Sequence, residues 1–208
     1  LLIPLLPFLL LGPLSPAPAQ VAARFRHDPA AGAAALRLAR QALDEYCLHR
    51  NRLPVPEDLP SLLYQHAGVF VSAQINGVPR CCMGTLRPQG PSLAADLIEA
   101  AVRAAAHDTR FPPLRPAELP GLRVIVSVLD PPQATVEPFA LDPVSDGLAV
   151  RSALRTGVVL PGETGRPDRF VSWALTRAGA RHGEQVEYFR LTAVRFMEHP
   201  TGASQLGR

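Results

Sequence analysis

The chain of 208 residues contains no lysine; all 21 of its basic residues are arginine. That absence excludes Schiff-base chemistry on a lysine and the lysine-bearing phosphate loop of P-loop nucleotide hydrolases. Arginine-only usage beside abundant Ala, Pro and Leu reads as a GC-rich genome, so the composition by itself is discounted as a binding signal. Three cysteines, two of them adjacent, make no disulfide framework. No C-x-x-C occurs and the six histidines are scattered, so no zinc site is expected. The G-x-G-x-x-G, H-E-x-x-H and G-x-S-x-G patterns are absent. The eight phenylalanines are not interleaved with basic residues as in an RNA-recognition sheet, and no nucleic-acid partner is expected. No cofactor and no metal follow from any motif.

What is present is enough apolar residue, 47%, to build a core, and 23 prolines that demand much loop. The net charge of +3 is a weak pointer to anionic partners. Leu1 to Leu14 is almost wholly apolar and Ala17-Pro18-Ala19 follows. The segment 1–19 reads as the apolar region and cleavage site of a secretory signal, too short and too proline-rich for a stable membrane span. The chain is then expected in the periplasm or outside the cell; without a true signal it would be cytoplasmic.

Along the remainder, a polar joint at Arg24–His27 precedes a helix that Asp28 caps and Pro29 opens, ending near Arg50. Gly68–Ile75 and Val78–Leu86 read as strands joined by Asn76-Gly77, the preferred pair for a type I′ hairpin. Ser92 caps a second helix carrying Leu93, Leu97, Ala101 and Ala104 on one face. Arg123–Leu129 is the clearest strand. Leu148–Val150 and Val158–Leu160 suggest another hairpin. Asp168 is expected to cap a third helix, in which Trp173 packs and which Gly179 ends; Val186–Met197 reads as one long strand. The whole predicts an α+β domain over 28–198, an antiparallel or mixed sheet with packed helices, and a loose tail over 199–208.

In a regular strand Arg80, Cys82 and Gly84 share one face, and Cys81, Met83 and Thr85 the other. A guanidinium beside a thiol favours the thiolate, so Cys82 is a candidate nucleophile with Arg80 as activator; the alternative is a packed core cysteine. Gly84 would leave the backbone open to a ligand. A disulfide between Cys81 and Cys82 would be strained. Asp108 ends a helix, where negative charge is disfavoured. Either it has a tertiary partner, Arg110 or Arg80, or it forms an Asx turn into Phe111-Pro112-Pro113. His107 would serve the helix end, and Glu118 is a candidate general base.

Three stretches stand out together: Arg80-Cys81-Cys82-Met83-Gly84-Thr85-Leu86; His107-Asp108-Thr109-Arg110-Phe111-Pro112-Pro113-Leu114 with Glu118-Leu119; and Gly157-Val158-Val159-Leu160-Pro161 followed by Arg177-Ala178-Gly179. In this order they resemble the AMMECR domain family, also called AmmeMemoRadiSam system protein A, from about Ala30 to Met197. The resemblance implies two unequal lobes with a cleft between them, near the Arg80–Leu86 strand. It gives no settled activity, and suggests a pathway shared with Memo-like and radical-SAM proteins. The chain departs from the family's Arg-Gly-Cys-Ile-Gly at Cys81 and Met83. Three functions follow: a module binding a small anionic ligand or partner peptide through Arg80, Gly84, Thr85, Asp108, Arg110 and Glu118; an enzyme dependent on Cys82; or a scaffold for the Memo-like and radical-SAM proteins with no ligand of its own.

Overall fold

A computed structural model of the chain describes residues 20–199. The expected signal segment 1–19 and the tail from Pro200 lie outside the described residues. Helix α1 (Val21–Arg26) occupies the place where a polar joint was expected. Phe25 is the reason: it is fully buried, its ring centroid 5.9 Å from that of Phe196.

Helix α2 (Pro29–His49) starts where Asp28 accepts a hydrogen bond from the Ala31 amide at 2.9 Å, and it ends at Arg50 in the left-handed conformation. Strands β1 (Gly68–Ile75) and β2 (Val78–Thr85) turn through Asn76 and Gly77. Both have positive φ, 50° and 80°, as a type I′ turn requires. Helix α3 (Leu93–Ala106) is capped by Ser92, whose hydroxyl accepts from the Ala95 amide. Strand β3 (Leu122–Leu129) is buried at seven of its eight positions, as befits a central strand with both faces covered.

After β3 come β4 (Gln133–Thr135), a short strand in the proline-rich connection that the sequence did not suggest, then β5 (Gly147–Arg151) and β6 (Thr156–Val159). Helix α4 (Pro167–Ala178) begins two residues earlier than expected. Arg166 holds the N-cap position, and Asp168 pairs with the Arg166 guanidinium at 2.7 Å instead of capping. Gly179 ends α4 with φ of 63°. Trp173 faces outward with Arg177 over its ring, so it does not pack the helix as expected.

The expected single strand over Val186–Met197 is two strands in two sheets. β7 (Glu187–Leu191) joins one sheet of order β4-β7-β5-β6, and β8 (Ala193–Met197) the other, of order β2-β1-β3-β8. The chain passes between them at Thr192, whose carbonyl accepts from the Asp130 amide at 3.0 Å. Among the described residues every pairing is antiparallel, so the class is α+β with two antiparallel sheets.

Helices α2 and α3 cover one face of the first sheet around Val69, Val71, Val124 and Val126. The opposite face meets the second sheet through Phe70, Leu129, Ala149, Leu160 and Leu191. Arg40 ties α2 to the end of the first sheet. Its guanidinium grips the Glu198 carboxylate and donates to the Leu119 and Leu122 carbonyls. Among the described residues no helix is long and apolar enough to cross a membrane.

Helix α4 lies directly on β6. A Cβ at Gly157 would stand 2.2 Å from the Ala174 carbonyl oxygen and 2.3 Å from the Ala178 nitrogen. Gly157→Ala is therefore expected to cost about 1–3 kcal/mol in urea unfolding, an overpacking penalty. Gly165→Ala, where nothing lies within 4 Å, is expected to be neutral or stabilising by up to ~1 kcal/mol.

Candidate functional site

The pairing of β1 with β2 runs in register from Val69↔Thr85 to Ala73↔Cys81, then slips by one to Gln74↔Pro79. Arg80 is the additional residue, a β-bulge. The slip breaks the alternation that would put Arg80 beside Cys82. Arg80 turns toward Glu118: Nε lies 2.6 Å from Oε1 and Nη2 3.1 Å from Oε2. Its Nη1 and Nη2 also donate to the Pro112 and Pro113 carbonyls. This guanidinium has four engagements on the 112–118 loop and is a structural pin.

Cys82 therefore does not have the activator the sequence suggested. Burial pushes its thiol up to about 11, and the Glu163 carboxylate adds to this; Ser72, donating to Sγ at 2.9 Å, and Arg110 oppose it. Cys81, buried among the core side chains, is pushed up to about 12 by burial first. Neither thiol is a thiolate at neutral pH.

Glu118 is the partner that engages Arg80. Arg80's hydrogen bonds, opposed by burial and aided by the Arg115 amide, hold its carboxyl at about 2. Gly84 has no room for a side chain: a Cβ there would stand 2.2 Å from the Val69 carbonyl oxygen and 2.6 Å from Cγ of Phe70. The Phe70 ring takes the place a side chain would need, and Phe70 and Gly84 both line the pocket described below. Thr85 keeps its hydroxyl buried without a hydrogen-bond partner.

Asp108 and Arg110 do come together, and both readings of Asp108 hold at once. Its buried carboxylate accepts from the Arg110 amide at 3.1 Å, an Asx turn. It also accepts from Arg110 Nε at 2.9 Å and Nη2 at 2.7 Å. Burial would raise this carboxyl, but the Arg110 guanidinium and two amides hold it below its ordinary value. The second amide is that of Cys82, 2.8 Å from Oδ2, while Arg110 Nη2 donates to the Cys82 carbonyl at 3.2 Å. β2 is an edge strand, and the ion pair satisfies both main-chain groups of Cys82 where a further strand would have done so. His107 caps the end of α3 and stays exposed.

Beside this edge is a pocket of about 840 Å³. Cys82, Gly84, Thr85, Asp108 and Arg110 line it; Arg80 and Glu118 do not. Six arginines face it, Arg87, Arg103, Arg110, Arg151, Arg155 and Arg177, against two carboxylates, Asp108 and Glu163. Five of the six were missed in the sequence as site residues. They come from distant segments of the chain and form no local motif.

A sequence model of the AMMECR1 family matches residues 36–199. The chain belongs to the AMMECR1 family. Protein TK0174 of Thermococcus kodakarensis is 40% identical over 136 residues, covering 61% of this chain and 66% of that protein. A protein of Thermotoga maritima is 32% identical over 161 residues, covering 75% of this chain and 92% of that protein. The crystal structure of uncharacterized protein PH0010 from Pyrococcus horikoshii shares the fold, with TM-score 0.74 and 31% identity over 82% of this chain and 92% of that one.

Two measurements check the geometry of this AMMECR1 domain. Peptide-resolved alkylation of Cys82 against pH is expected to show a midpoint above the ordinary thiol value of 9.0, unmoved by Arg80→Ala. A midpoint lowered into the neutral range would overturn the site as drawn. Glu118 contributes stability that is present above 4.5 and lost as pH falls toward about 2, because its folded-state pKa is depressed. Urea unfolding across that window is expected to show a shallower loss of stability in Glu118→Gln.

Proposed function

We propose that this AMMECR1 domain is a binding module for a small anionic ligand, held in the pocket between the β2 edge and the β5–β6 turn. The observation that carries the reading is the charge around the pocket. Among the described residues Arg87, Arg103 and Arg155 face no carboxylate within ion-pair distance. Arg103 is half-buried, and half-burying a charge without a counter-ion is unfavourable unless one arrives with a ligand. A volume near 840 Å³ suits a small molecule, and arginine's planar fork matches phosphate and carboxylate oxygens.

The alternative of a Cys82-dependent enzyme has less support, since the thiol is neutral and Arg80 is engaged elsewhere. The pathway with Memo-like and radical-SAM proteins that the family resemblance implies is compatible with a binding module; co-purification of the three proteins tests it.

Calorimetric titration of pyrophosphate onto the domain tests the anion-binding reading. Saturable binding is expected that weakens with added salt and falls about tenfold, roughly 1.4 kcal/mol, in Arg103→Gln at unchanged melting temperature. Absence of saturable binding at low salt would sink it.

A further inference from the structure

The pocket's two sides are built alike. On the α3 side, Arg103 stands in the helix's last turn and Arg110 is fixed by Asp108, its Nη2 on the Cys82 carbonyl. On the α4 side, Arg177 stands in the helix's last turn and is fixed by Glu163, Nη1 to Oε2 at 2.6 Å. Arg155 is fixed in turn by its Nε, which donates to the Arg177 carbonyl at 2.8 Å.

Each side therefore has one arginine locked by a carboxylate and one with nitrogens to spare. Among the described residues Arg103 makes no hydrogen bond from its guanidinium, and Arg155 uses only Nε. The carboxylates that hold Arg110 and Arg177 cancel one charge on each side, and Arg103 on one side and Arg155 on the other stay unpaired among the described residues, as does Arg87 just past β2. The same lining carries apolar side chains, Phe70, Leu86 and Val158, which pack on the inter-sheet cluster.

The helix dipole alone would favour an arginine in a last turn. It accounts for where Arg103 and Arg177 stand. It does not account for Arg110 and Arg155, which come from loops and line the same pocket.

We infer that the pocket has two oxyanion subsites, one on the α3 side and one on the α4 side, and takes a ligand with a phosphate-type group at each end of an apolar body. The inference rests on the anion-binding reading and adds to it the number and placement of the anionic groups. Either side alone offers a pair of guanidinium forks, one of them locked by a carboxylate and one unpaired. Engaging both from one molecule makes the second contact intramolecular, which raises affinity without any new kind of interaction.

The probes are linear alkane bisphosphonates from ethane to octane, each against the monophosphonate of the same chain length, titrated calorimetrically onto the domain. At one best length the bisphosphonate is expected to bind at least about tenfold tighter than its monophosphonate. Arg103→Gln and Arg155→Gln, on opposite sides, are each expected to remove that advantage at unchanged melting temperature, and their combination to remove no more of it. Equal affinity of the two series at every length would overturn the two-subsite inference while leaving anion binding standing. So would sensitivity to only one of the two variants. Failure of every phosphonate and of pyrophosphate to bind would instead overturn the anion-binding reading beneath it.

Discussion

The residue inserted into β2 at Arg80 decides how the rest of the domain divides its labour. Without the bulge, strand alternation would turn Arg80 to the face that Cys82 occupies and put a guanidinium beside the thiol. With it, Arg80 is committed to Glu118 and the 112–113 carbonyls, and Cys82 faces the second sheet with only Ser72 at hydrogen-bond distance. One additional residue thus separates a structural ion pair from a pocket that lies on the other face of the same strand. The loop that Arg80 pins is the one that carries Asp108 and Arg110, so the two faces stay mechanically joined.

Asp108 is the second dependency. A buried carboxylate at a helix C-terminus is opposed by both desolvation and the dipole. Two amides and a bidentate guanidinium more than offset this, and its pKa falls below the ordinary value. The same carboxylate fixes Arg110 and closes the Cys82 position of the strand edge. Glu163 does the matching work across the pocket, fixing Arg177 against the Val158 carbonyl and the end of α4. The pocket's positive character is therefore carried on side chains whose orientation is set by internal acids.

Much of the fold was legible because its signals are local. Asp28-Pro29, Ser92 and Gly179 mark helix ends through main-chain hydrogen bonds and a left-handed cap. Asn76-Gly77 marks a turn because both residues take positive φ. The misses are non-local. Nothing in Val78-Pro79-Arg80-Cys81 announces that β1 will pair with a slipped register. Nothing in the stretch over 186–197 announces that Thr192 crosses between sheets, because both halves carry strand-like patterns. Asp108 and Arg110 were recognised because they are two residues apart. The other arginines lie in four separate segments, and in a chain whose every cation is arginine their type carried no information.

The neutral Cys82 thiol fits this division of charge. A thiolate there would stand near Glu163 and Asp108, both of which raise its pKa, and would compete with any anion for Arg110. Held as a thiol, Cys82 joins Leu86 and Val158 against the inter-sheet cluster, adding apolar surface to the pocket without adding charge. Asp108 and Glu163 then hold Arg110 and Arg177, Glu187 pairs with Arg151, and Arg87, Arg103 and Arg155 keep their charge unpaired among the described residues. The residues that make the strand motif recognisable thus contribute most through what they keep out of the pocket: the Arg80 guanidinium, the Glu118 carboxylate, and a negative charge on sulfur.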